Sequence, residues 1–160
     1  MRVSPGLWRM GCRSVVVAAA GVAGVAMGGC FHARPTVDVV STRADGLSAA
    51  GQRIVVVLEG RHTNEEEFPL ERARYRVERA SDGAVLFEGE RLAEAVLPPA
   101  GVQRFELPAA IPAEAGLMSG EPLVVSGTVT YEVPGTIAEL LFDTRVRRPK
   151  ARFVAEVVAP

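Results

Sequence analysis

The chain has 160 residues, with 18 basic and 19 acidic side chains and 6% aromatics, the length of a single domain. Setting aside residues 1–29 as a targeting segment removes Arg2, Arg9 and Arg13 and no acid, leaving 15 basic against 19 acidic side chains, net −4. That balance argues against a sequence-independent nucleic-acid binder, which needs a net basic face. Two histidines and two cysteines leave little material for metal or nucleophilic chemistry.

The first 30 residues read in three zones. Arg2, Arg9 and Arg13 form an acid-free basic region, Val15 to Met27 is an uncharged apolar run of 13 residues, and Gly28-Gly29-Cys30 closes it. The run is shorter than the ~20 residues that span a bilayer and fits the core of a signal peptide. The Gly-Gly-Cys ending resembles a bacterial lipobox, with Met27 where that pattern prefers Leu. The resemblance implies a lipoprotein signal peptide over residues 1–29, cleaved to leave a diacylated Cys30 in the cell envelope. Phe31 rather than Asp after the cysteine implies the outer membrane, facing the periplasm. The alternatives are an uncleaved anchor or a secreted chain with a free cysteine. Cys12 leaves with the signal peptide, so no disulfide framework is expected. Residues 30–35 then form the lipidated cysteine and a short tether, Phe31 to Pro35 reaching at most ~18 Å, and residues 36–160 form the domain.

From Thr36 onward the dominant period is two, the mark of strands with one buried face. In chain order the expected strands are Val37-Asp38-Val39, the β-branched run Ile54 to Leu58, Arg72 to Glu78, the strand through Phe87, Arg104 to Leu107, Leu123 to Glu132, Leu140 to Val146 and Ala151 to Val158. Turn signals separate them at Asp45-Gly46, Ser81-Asp82-Gly83, Pro98 to Gly101 and Pro134-Gly135. Only Leu92 to Leu97 and Ala113 to Met118 allow a short helix. Seven or eight such strands predict an all-β antiparallel sandwich.

One hairpin can be set in register. With Gly83 in the left-handed position of a three-residue loop, Val77 faces Phe87 and Tyr75 faces Gly89 inside, while Arg76 faces Glu88 and Arg74 faces Glu90 outside. A two-residue loop would place Glu88 inward opposite Val77, so the side-chain pattern selects the longer one. The arginine stripe is thereby expected to be a solvated, charge-paired face.

Candidate sites are few. His62 beside Glu65, Glu66 and Glu67 has no metal-ligand spacing, and these residues are expected at a solvated loop tip. Asn64 and Gly83 are expected as structural turn residues, Asn64 bonding nearby backbone groups. No serine elbow, phosphate loop or Cys-x-x-Cys pair occurs in residues 30–160. No catalytic residue, metal or cofactor is therefore expected, and no nucleic acid or small-molecule substrate.

The segment Leu58 to Leu70, with Asn64 and Phe68-Pro69-Leu70 leading into the Tyr75 strand, resembles the group 2 late embryogenesis abundant (LEA type 2) proteins, which carry the water-stress and hypersensitive-response (WHy) domain. Asn64 matches the second Asn of that family's Asn-Pro-Asn turn, with His62 and Thr63 in place of the first two residues. Gly89, Leu97 to Gly101, Gly127 to Tyr131, Phe142 and Phe153 match later elements, the last two as residues of the final strands. The resemblance implies a sandwich like a fibronectin type III or immunoglobulin domain with at most one short helix. It implies a non-enzymatic role in desiccation or other stress, with weak protein or lipid clients. The alternative is an interaction module that docks a defined envelope partner.

Overall fold

The computed structural model describes residues 32–160; Cys30 and the segment before it lie outside the described residues. Seven strands follow from the alternation: β1 (Thr36–Ser48), β2 (Gly51–Arg61), β3 (Phe68–Arg79), β4 (Val85–Leu97), β5 (Val102–Pro112), β6 (Pro122–Tyr131) and β7 (Lys150–Val158). They make two antiparallel sheets, β1-β2-β5 and β4-β3-β6-β7, packed as a sandwich. One helix, α1 (Thr136–Asp143), joins β6 to β7. The Thr42 hydroxyl of β1 donates to the Val158 carbonyl of β7 at 2.6 Å, tying one sheet to the other.

The core is the inward set of this alternation. Ile54, Val56 and Leu58 of β2 meet Tyr75 and Val77 of β3, all essentially inaccessible to water. Each such side chain contributes roughly 1.5–3 kcal/mol by leaving water. Val55 is buried as well, as suits β2 between β1 and β5. Tyr75 spans the sandwich: its ring lies 5.2 Å from Phe87, and its hydroxyl donates to the Pro108 carbonyl of β5 in the opposite sheet. Burial pushes its phenol up to about 12. Its neighbours in register are Gly89 on β4 and Gly127 on β6. A Cβ on Gly127 would lie 2.5 Å from the Arg74 carbonyl oxygen and 2.8 Å from the Tyr75 Cβ, so only glycine lets the strands close around the ring.

The β3–β4 hairpin has the expected register over Arg74↔Glu90, Tyr75↔Gly89, Arg76↔Glu88 and Val77↔Phe87. The loop differs. Arg79 donates to Ala84 at 2.9 Å, so four residues turn the chain, and a bulge between Val77 and Glu78 absorbs the offset. That bulge lets both Leu86 and Phe87 reach the core. Asp45-Gly46 is likewise no turn. It lies within β1, where a register shift between Ala44 and Gly46 lets the strand run on to Ser48.

Two helix expectations change places with a strand expectation. Leu92 to Leu97 completes β4, because pairing of Val96 with Pro69 and Ala95 with Leu70 outweighs local helix propensity. Ala113 to Met118 keeps only a single tight turn at Ala113–Ala115. Residues 140–146, expected as a strand, belong instead to α1 and the turn after it. Ala138 to Leu141 are strong helix formers, and Glu139 reaches back to accept from the Gly135 N–H at 3.3 Å. Phe142 is thus the helix's buried anchor rather than a strand residue, with the Arg148 guanidinium 4.9 Å above its ring.

Candidate functional site

A cluster of polar contacts lies where the described chain enters the sandwich. Ile54, Val56, Leu58, Gly60 and His62 keep the period of two, so His62 extends the inward face of β2 one step past its end. His62 is therefore only 6% exposed, not a solvated loop tip, while Glu65, Glu66 and Glu67 are exposed. Its ring packs on Phe68, centroids 4.7 Å apart. Its Nδ1 accepts the Asn64 backbone N–H at 3.2 Å, which puts the ring proton on Nε2, where it donates to the Leu97 carbonyl at 3.3 Å.

His62 in turn fixes Asn64. The Asn64 Oδ1 accepts the Ala33 N–H and its Nδ2 donates to the Ala33 carbonyl, each at 2.7 Å. The side chain thus pairs with Ala33 as a neighbouring strand would. The Asn64 carbonyl accepts from Ala100 at 2.7 Å, joining the Pro98–Gly101 turn to the same cluster. His32 adds a 3.2 Å contact to Glu66 and an edge contact to Phe68, and Pro35 is buried. Within the segment expected as a short tether, Ala33 is held against the domain and His32 rests on it, so the chain forms a strap there.

Gly83 is remote from this cluster, beyond the other end of β3. It sits at φ +72°, donates its N–H to Arg79 at 2.9 Å, and is flanked by Asp82, whose Oδ1 accepts from Ala84 at 3.0 Å. The Asp82 carboxyl is held below its usual range, chiefly by that backbone N–H. Cys30 lies outside the described residues. The pattern missed Ala33 as the partner of Asn64, because a backbone partner carries no side-chain signal.

The outer face of β3 carries ion pairs. Arg72 and Arg74 both reach Glu90, at 2.8 and 3.1 Å, and hold its carboxyl below the usual range, Arg72 most. Arg76 does not pair with Glu88; it turns to Glu78 at 3.4 Å and to Ser126 on β6. Among the described residues no three His, Cys, Asp or Glu side chains come together as metal ligands would. A groove of ≈ 400 Å³ lies at the far end, between the β1–β2 turn and the end of β5, lined by Leu47, Gly51, Arg53 and Ile111.

No family model and no curated protein matches the chain. Solved structures do. The solution structure of At2g46140.1, described as a late embryogenesis abundant (LEA) protein, superposes with a TM-score of 0.55 at 12% identity, covering 79% of this chain and 72% of that one. The solution structure of AT1g01470 from Arabidopsis thaliana gives a TM-score of 0.59 at 10% identity over 83% of this chain and 85% of the other. A crystal structure of a protein from Archaeoglobus fulgidus gives 0.52 at 12% identity, over 76% and 91%. The sandwich is thus a LEA-like fold. Identities this low establish the fold alone.

Proposed function

We propose that this chain is a non-enzymatic, lipid-anchored protein of the bacterial envelope whose LEA type 2/WHy-like domain protects neighbouring proteins or membrane during desiccation or related stress. The observation that carries the reading is the sandwich shared with a LEA protein over most of both chains. The apolar run ending in Gly28-Gly29-Cys30 supports the anchor, and the outer membrane facing the periplasm is the proposed site. The domain acts folded. Its exposed charges, among them the Arg72–Arg74–Glu90 group, offer many weak contacts to unfolding proteins or lipid head groups, screened beyond about 8–10 Å at ordinary ionic strength.

The test is a drying and heating challenge of a fragile enzyme and of liposomes with the purified protein. An unrelated acidic β-sandwich of equal size serves as the control. Protection above that control, weakening with salt, is expected. Protection no better than the control for either target would discard this reading in favour of a docking module with one defined partner, which cross-linking in membranes would then reveal.

A further inference from the structure

The strap and α1 share one end of the sandwich. Residue Thr36 opens β1 opposite Arg61 at the end of β2, and the same end holds the start of β3, the end of β6 and the start of β7. The contacts run continuously from the strap toward the helix. His32 lies 6.0 Å from Phe68, and Phe68 lies 5.9 Å from Tyr131, the last residue of β6. Burial pushes the Tyr131 phenol up, while Arg34 from the strap and Arg147 from the segment after α1 both act on it in the opposite sense. Here α1 turns Phe142 inward and leaves Ile137 and Leu140 outward at 76% and 62% exposure, with Val146 beyond it at 73%. Ile137 and Leu140 are three residues apart and so lie on one helix face.

The length of chain beyond the structure decides what meets this face. Asn64 clamps Ala33, so only Phe31 and His32 separate the held strap from Cys30, a reach of about 10 Å. We infer that Ile137, Leu140 and Val146 insert into the bilayer that holds the Cys30 acyl chains, so that the domain docks end-on through two points rather than swinging from one. This rests on the proposed anchor. With eight residues, α1 is far too short to span a membrane, and its apolar face suits a shallow seat about 5–10 Å into the head-group boundary. Glu65, Glu66 and Glu67 are exposed at the same end, and so are Arg34, Arg145, Arg147 and Lys150, so charges of both signs surround the apolar residues. The residues that insert are apolar and the charges around them are of both signs, so lipids without net charge suffice. Leu47 at the far end is just as apolar and 85% exposed, but no anchored segment leaves from there.

The experiment uses the full chain, matured in bacterial membranes and reconstituted into phosphatidylcholine vesicles, with Ile137→Cys, Leu140→Cys or Leu47→Cys carrying an environment-sensitive dye. At 137 and 140 the emission is expected to shift to the blue and to be quenched by lipids brominated on their acyl chains. At 47 it is expected to remain water-like. Vesicle-bound protein with water-like emission at 137 and 140, or with equal quenching at all three positions, overturns end-on insertion while leaving the anchor intact. If the protein without an added cysteine takes up dye at Cys30 and fails to stay with vesicles, the anchor itself is absent, and both readings fall.

Discussion

Asn64→Ala removes two hydrogen bonds at 2.7 Å, both to the backbone of Ala33. A protein hydrogen bond contributes a net of about 0.5–1.5 kcal/mol, and Ala33 is exposed, which favours the lower half of that range. The expected loss is about 1–2 kcal/mol, visible as a lower urea midpoint at unchanged slope. The same loss alone would not separate a clamp from an ordinary turn residue. A double-mutant cycle does, comparing Asn64→Ala in a chain starting at Phe31 and in one starting at Thr36. Without the strap, Asn64 keeps only its 3.4 Å contact to His62 Nδ1 and its backbone bonds, so the substitution should cost little. A coupling of about 1–2 kcal/mol between strap and side chain is the expected result. An equal cost in both chains would refute the clamp and return Asn64 to a local turn role.

Gly127→Ala should destabilise by about 1–3 kcal/mol, because the new methyl meets a backbone carbonyl that cannot move aside. Gly46→Ala, whose Cβ meets nothing within 4 Å, should stay within about 0.5 kcal/mol in the same denaturation assay. Tyr75→Phe should cost about 1–3 kcal/mol by orphaning the Pro108 carbonyl. Because the folded phenol sits near 12, above its ordinary value of about 10, its contribution is complete below pH ~10 and is lost as pH rises toward 12. The Phe variant should lack that alkaline loss. Glu132 is shifted upward, first by burial and then by Asp143, Glu139 and Glu71. A raised carboxyl favours folding only below its unfolded value, so at pH 7 its charge is a liability. Glu132→Gln should raise the urea midpoint at pH 7, with the gain vanishing at acid pH, where the carboxyl is protonated in both folded and unfolded chains.

The strands were legible because one buried face leaves a mark at every second residue. Ala73, Tyr75 and Val77 showed it, and their register with Phe87 and Gly89 followed from keeping Glu88 outside. The helix was not legible. Leu140, Leu141 and Phe142 are contiguous, and eight residues hold barely two turns in which a period of 3.6 can emerge. The three glutamates after His62 mark the segment as solvated and mask its burial. Continuing the β2 alternation through Gly60 would have put it inside. The clamp on Ala33 was beyond reach, since its recognition is all backbone. Asn64 could be assigned hydrogen bonds, but not a partner 31 residues away.

On the proposed function, the domain protects because it is held at the membrane. The most direct measurement is survival after drying and osmotic shock of a strain lacking this protein, restored with either the natural chain or Cys30→Ser. The natural chain should recover survival, and Cys30→Ser, produced at equal level but unacylated, should not. Normal survival of the deletion strain, or equal rescue by both chains, would show that protection does not depend on the anchor.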